Sequence, residues 1–275
     1  IWGNLLEKRQ RAIELPGARE NFLTKHCNII YSGAADEQFV SLDELRKCRA
    51  DKIDWTGMQV YAGVDLAMSN DNCAAAMVGV RADGKVAVKV MGFIPEGKIR
   101  EKSTLEKFDY TRAIREGECI ACGERIVDYS RIENWVFDLD DDFGVYVAQV
   151  GYDRYNAISS AQKWEQGRPA GSGKPEHGGI ETVEIRQHSD TLHAPTKLFC
   201  ELVESGRLVY EESRLFEVNV ENARCTYDTN MNRYINKKRS NGKVDCVMAV
   251  VDALYLLQQN ELLDADGGGF VCQVG

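Results

Sequence analysis

With 275 residues, 44% of them hydrophobic and 28% charged, the chain has the bulk for one large domain, or for a domain with an appendage. A net charge of −9 excludes a protein whose whole surface grips nucleic acid, but not one with a local basic face. No apolar run reaches the roughly 18 residues of a membrane helix, and nine cysteines in a chain this large suit a reducing compartment better than a disulfide scaffold.

Residues 1–57 read as polar and helical, without a strand pattern. "IWGNLLEKRQRAIELPG" lacks the apolar core of a signal peptide and suits an amphipathic helix or the cut edge of a longer protein. "SLDELRKCR" has Ser41 and, three positions on, Glu44, the spacing of a capping box. From Gln59 the texture changes. "QVYAGVDL", "CAAAMVGVR" and "VAVKVMGFI" are strand-like, the last two joined by Asp83-Gly84, a hairpin signal.

"KFDYTRAIREG" is helical, and "CIAC" (Cys119, Cys122) lacks the second pair or spaced histidines that zinc needs. A short strand is expected at "ERIVD" (Glu124 to Asp128). "YSRIENWVFDLDDDF" then sets Ile132, Trp135, Val136 and Leu139 on one helix face, and its run Asp140 to Asp142 splays around a solvated helix end. Two strand–helix units follow: "VYVAQVGYD" with "NAISSAQKWEQ", and "GIETVEIRQ" with "APTKLFCELVESG". Between them "GRPAGSGKPEHGG" reads as a mobile loop or hairpin tip on the surface. "VDCVMAVVDALYLLQQ" closes the chain as a long apolar helix.

Three acids stand in odd places: Asp65 in an otherwise buried strand, Asp153 ending another strand, and Asp245 in the first turn of the last helix. A hairpin followed by right-handed crossovers makes a mixed α/β sheet of five strands with helices on both faces, and sets the Asp153 strand beside the Asp65 strand. Asp245 then approaches both. Three gathered carboxylates repel one another, and a pair of Mg²⁺ or Mn²⁺ ions about 3.5–4 Å apart would remove that cost.

"GVDLAMSNDNCAAAMVGV", "VAQVGYDRYNA" and "SNGKVDCVMAVVDAL", in this order and spacing, resemble the nuclease domain of tailed-phage terminase large subunits, of the RNase H-like, resolvase–integrase group of folds. The likeness runs over about residues 20–260 and takes in "VDYSRIENWV" and "APTKLFCELVESGRL". It implies a metal-dependent endonuclease that cuts concatemeric viral DNA during packaging, with Asp65, Asp153 and Asp245 as ligands of two divalent cations and as the catalytic set. Asp65 would bridge the pair. No histidine stands near the third acid. Asp252, seven residues after Asp245 and about 10.5 Å along the helix, reads as a core or supporting acid, and Asp71 as a turn residue.

The run "NKKRSNGK" just before Asp245 supplies Lys237, Lys238, Arg239 and Lys243 to a DNA backbone, and Arg154 stands next to the second acid. Arg168 and Lys174 of the glycine-rich loop are further DNA contacts. "GRPAGSGKP" lacks Walker A spacing. The family's ATPase motor is therefore expected elsewhere, with 1–57 a docking segment toward it, 58–262 the nuclease and 263–275 a flexible tail. The resemblance also implies double-stranded DNA, the terminase small subunit and the procapsid portal as partners, no membrane, and a place in the bacterial host cytoplasm at the portal. Rival readings are a resolvase- or transposase-like recombination nuclease, a sugar kinase of the actin-like fold ("GVDLA" as a phosphate loop), and a non-catalytic portal-docking module.

Overall fold

The computed structural model describes residues 2–14, 22, 26–27, 37–67, 71–171 and 173–266. Its centre is the expected hairpin: β3 (Gln59–Asp65), β4 (Cys73–Val80) and β5 (Val86–Ile94), antiparallel, where β1 (Glu37–Gln38) and β2 (Arg49–Ala50) precede them in the chain. The Asp83-Gly84 turn closes β4 onto β5, with the Arg81 N–H donating to the Lys85 carbonyl at 2.8 Å. On the other side of β3 lies β7 (Tyr146–Tyr152), parallel to it, and then β8 (Glu181–Glu184), parallel to β7.

These five strands are the expected mixed sheet, but the sheet is larger. β9 (Leu208–Glu211) pairs with β5, β2 pairs with β9, and β6 (Cys119–Ala121) pairs with the far end of β5, giving eight strands. A separate three-stranded sheet joins β1, β10 (Arg224–Tyr227) and β11 (Arg233–Ile235).

Two stretches differ from expectation. The strand falls at Cys119–Ala121 and not at 124–128, which form bends. The stretch before residue 58 holds two strands besides α1 (Trp2–Glu14) and α2 (Leu42–Lys47). Its apolar residues enter the core on both faces of the sheet: Phe39, Val40 and Leu45 on one, Ile53 and Trp55 on the other. Ser41 occupies the N-cap of α2 but its side chain makes no cap bond, and Glu44, the other half of the expected capping box, accepts from Lys47 at 2.5 Å. Residues 15–21, 23–25 and 28–36, expected helical, lie outside the described residues, as do 267–275 of the expected tail.

Helices α3 (Ile99–Leu105) and α4 (Tyr110–Arg115) follow β5. α5 (Tyr129–Phe137) and α6 (Leu139–Phe143) bury Ile132, Trp135, Val136 and Leu139, the expected face, and pack with α7 (Arg154–Gln166) on one side of the sheet. The other side carries α8 (Ser189–Glu204), α9 (Arg214–Asn222) and α10 (Asp245–Asp266).

α10 is buried almost all round, from Val247 through Leu257, as its apolar sequence, interrupted by Asp252, demands. It lies directly on the sheet because Gly63 of β3 and Gly151 of β7 leave room. A Cβ on Gly63 would stand 2.1 Å from the Ala249 carbonyl oxygen, and one on Gly151 would stand 3.2 Å from Leu256 Cδ1. Side chains alternate along a strand, so two residues beyond each glycine the same face carries Asp65 and Asp153. The packing that seats the helix also aims the two acids at it.

Candidate active site

β3 and β7 are in parallel register, with Gly63 opposite Gly151 and Val64 opposite Tyr152. Carried one residue past the end of β7, that register brings Asp153, which follows Tyr152, level with Asp65 at the end of β3, where neighbouring strands are about 4.8 Å apart. Past Asp65 the chain is held by the Tyr129 hydroxyl, which donates to the Ala67 carbonyl, and by Cys73 Sγ, which accepts from the Ala67 N–H at 3.3 Å. Asp65 is buried. Asp245 enters from the side, at the first residue of α10.

Burial pushes the Asp245 carboxyl up to about 7, and the negative charge of Asp65 adds to this against the pull of Lys243 and Lys237. One helical stretch deeper, Asp252 is only 1% exposed. Its carboxyl is also raised well above the usual range, by burial first and then by Asp65 and Asp153. Gln187 Nε2 donates to both its oxygens, at 3.0 and 3.3 Å. Asp252 is thus a buried supporting acid, electrostatically part of the cluster. Asp65 acts on both Asp245 and Asp252, and Asp153 acts on Asp252.

The basic run supplies the opposite charge. Lys237 Nζ lies 2.6 Å from Asp65 Oδ2. Its ammonium is held charged by Asp65 and Asp245, which outweigh the burial that would lower it. Lys243 donates to Asp71 Oδ1 and stands 3.9 Å from Asp245 Oδ2, and its charge is likewise sustained by Asp245 and Asp71 against burial.

The loop carrying them is rigidly tied. Asn222 Nδ2 donates to the Lys243 carbonyl at 3.1 Å, the Asn222 carbonyl accepts from the Asn241 N–H at 2.9 Å, and Ser240 Oγ accepts from the Arg224 N–H at 3.1 Å. Lys238 and Arg239 are exposed on the same turn. Arg154, also exposed, reaches Glu184 only loosely, at 3.9 Å.

Asp71 belongs to this site more closely than a turn residue would. Lys102 Nζ donates to it at 3.0 Å, and together with Lys243 this lowers its carboxyl pKa although burial opposes. Lys102 also approaches Glu106 at 3.6 Å, and the Tyr110 hydroxyl donates to Glu106 Oε2 at 2.5 Å. The only trace of this arrangement in the sequence is an acid set between asparagines beside the Asp65 strand.

The glycine-rich loop departs from expectation. Arg168 is 5% exposed and is spent inside the fold, donating to Asp138 Oδ1 at 2.6 Å, Asn134 Oδ1 at 3.1 Å and the Pro175 carbonyl at 2.7 Å. Lys174 pairs with Asp138 Oδ2 at 2.7 Å. Backbone bonds join Arg168 and His177 both ways, so the loop is a fastened hairpin and its two cations serve the fold.

The donor set of Asp65, Asp153 and Asp245 is all carboxylate oxygen, the chemistry that Mg²⁺ or Mn²⁺ takes. Burial and mutual repulsion leave Asp245 short of positive charge even with two lysines present, so in donor type and charge the residues fit divalent cations. Among the described residues no three acidic, histidine or cysteine side chains stand close enough to hold a metal as they are placed, with Lys237 drawn onto Asp65. A cleft of about 800 Å³ opens beside Asp245, between α9 and the α3–α4 connection.

Comparison with known proteins fits this arrangement. The family model "terminase large subunit, endonuclease domain" matches residues 2–261. The large terminase subunit of Enterobacteria phage HK97 is 22% identical over 247 residues, 90% of this chain and 46% of that protein. The crystal structure of the HK97 large terminase superposes with a TM-score of 0.71 at 20% identity, covering 91% of this chain and 49% of the other. The large terminase nuclease of thermophilic phage G20c gives a TM-score of 0.49 at 13% identity over 79% of this chain and 97% of that one. The chain spans about half the length of its HK97 relatives. By its family match over nearly all its length, the chain belongs to the terminase large subunit endonuclease domains.

Proposed function

We propose that this domain is a divalent-metal-dependent DNA endonuclease that cuts concatemeric viral DNA as it is packaged. One observation carries the reading. Asp65 ends β3 where the parallel β7 leads into Asp153, and the first residue of α10, Asp245, is buried close enough to Asp65 for that acid's charge to raise its carboxyl, which supports a shared cation site. Acids crowded at such cost are expected where a cation is to be held.

Asp65, Asp153 and Asp245 would hold two Mg²⁺ or Mn²⁺ ions. Such ions supply an activated water and charge stabilisation on the leaving oxygen. The side chains of this chain do the rest. Asp65 and Asp153 offer oxygens from adjacent rigid strands, and Asp245 closes the set from the helix. Lys237 and Lys243 bring positive charge to where a scissile phosphate must lie. Lys238, Arg239 and Arg154 hold the flanking backbone without reading its sequence.

By the same family reading, the N-terminal side of the chain leads toward an ATPase motor, while residues 37–57 pack into the sheet of the cutting unit, which runs through α10 to Asp266. The partners are double-stranded DNA, that motor, the terminase small subunit and the procapsid portal, at which the protein works in the host cytoplasm. Among the described residues no helix is long and apolar enough to cross a membrane.

The test is plasmid nicking in Mn²⁺ together with calorimetric Mn²⁺ titration. Asp65→Asn, Asp153→Asn and Asp245→Asn are each expected to lower nicking at least about 100-fold and to weaken Mn²⁺ binding. Nicking retained by all three removes the assignment. Wild-type protein that binds neither Mn²⁺ nor DNA points instead to a docking module.

A further inference from the structure

The cleft beside Asp245 has a second wall that the nuclease reading leaves unused. Asp245 and Lys243 form one side. The connection between α3 and α4 forms the other, with Leu105, Lys107 and Phe108, and Val218 of α9 closes it. This wall differs from the carboxylate side in charge and in backbone. Lys102 is buried and tied to Asp71 and Glu106. Lys107 is exposed, and among the described residues it enters no ion pair.

Lys107 also has φ of +52°, one of two non-glycine residues with positive φ among the described residues. It follows directly on the C-cap of α3, Glu106. At that position the left-handed backbone favours glycine, and a side chain with a Cβ is held there at a cost. Here the residue in glycine's place is a long cation over a cleft that leads to Asp245. Beside it Leu105 is 75% exposed, an apolar surface turned to the same space.

We infer that this cleft binds the DNA strand that flanks the cut, with Lys107 clamping a backbone phosphate and Leu105 and Phe108 lying against its sugars. The inference rests on the nuclease reading. It adds a contact on the wall opposite the basic run 236–243, so that the strand is gripped on both sides of Asp245. A single phosphate contact by a surface lysine adds affinity and salt dependence without sequence preference.

The backbone geometry supplies an unusual test. Lys107→Gly removes the charge and at the same time gives φ of +52° to the residue best suited to it, so the fold should be unharmed or firmer. The full chain is titrated against a fluorescein-labelled duplex in Ca²⁺ over a series of salt concentrations. Lys52→Ala, an equal loss of charge just past the edge strand β2, serves as control.

Lys107→Gly is expected to weaken binding about 3- to 10-fold and to lower the salt slope by about one, with an equal or higher thermal midpoint. Lys107→Glu should weaken binding further, and Lys52→Ala should stay within about twofold. If Lys107→Gly matches wild type in affinity and slope, the cleft assignment is overturned while an Asp65-dependent nicking activity still stands. If Lys52→Ala weakens binding as much as Lys107→Gly, the effect is general charge, and the local contact is overturned. A wild-type chain that neither binds nor nicks DNA removes the nuclease reading and this inference with it.

Discussion

The loops 236–243 and 167–179 look alike in sequence. Each mixes glycine and small polar residues with lysine and arginine. Their cations end in different company. Lys237 and Lys243 reach acids that crowd together at the sheet, and although both lysines are near, Asp245 is still raised to about 7. Arg168 and Lys174 converge on a single acid, Asp138, whose carboxyl is lowered below the usual range although its burial opposes. One acid is saturated by its cations and the other is not. Basic composition therefore says little by itself; the number of carboxylates opposite decides whether positive charge staples a loop or leaves a site that wants more of it.

The comparison breaks most visibly at Arg168. Removing one partner of a buried ion pair costs about 3–5 kcal/mol, and Arg168 is 5% exposed with its guanidinium on Asp138, Asn134 and the loop backbone. Arg168→Met should therefore destabilise the protein by about 3 kcal/mol in chemical denaturation and open the hairpin to protease, with duplex affinity within twofold of wild type. A variant of native stability that binds DNA poorly would reverse the roles assigned to the two loops.

Much of the frame was legible because its signals are local. The Asp83-Gly84 turn joins β4 to β5, and the short apolar runs around Gly63 and Gly151 define β3 and β7. Asp65 and Asp153 could be set side by side from topology alone. β2, β6 and β9 were not legible. They run two to four residues, too short to carry a period, and they pair with segments far along the chain. The same non-locality hid Asp71, whose partners Lys102 and Lys243 lie 31 and 172 positions away. Arg168 and Lys174 misled for the same reason, since their acid stands 30 and 36 residues upstream on a different helix. What a cation touches is a tertiary fact, and periodicity cannot report it.

The second test concerns the two acids themselves, whose signs are opposite. Asp138, depressed in the fold, contributes stability above the ordinary carboxylate pKa that is lost as pH falls through its folded value. Asp245, raised to about 7, works the other way. Between about pH 4 and pH 7 the unfolded chain releases a proton that the native carboxyl keeps, so stability falls as pH rises and then levels off. In chelator, Asp245→Asn should accordingly stabilise the protein at pH 8, with the gain shrinking toward pH 4. Asp138→Asn should destabilise it at pH 8, with the loss fading in acid. Equal and pH-independent effects of the two would mean that the 236–243 lysines saturate their acids as fully as the hairpin does.

The smallest effect sharpens the distinction within loop 236–243. Lys238 and Arg239 follow Lys237 on the same turn, whose backbone is fixed by Asn236 and Ser240, yet both are exposed. Exposed charges add little to folding, so Lys238→Ala and Arg239→Ala should leave the unfolding midpoint nearly unchanged. As phosphate contacts, each should weaken duplex binding roughly threefold and take about one from the salt slope, for any sequence tested. Lys237→Met should behave differently, because it strips Asp65 of its partner and alters Mn²⁺ affinity as well as DNA affinity. Had all three substitutions the same small, salt-dependent effect and no influence on Mn²⁺, the turn would be one uniform basic surface. A split between Lys237 and its two neighbours separates the cation that answers the buried acids from those whose larger effect is on DNA binding.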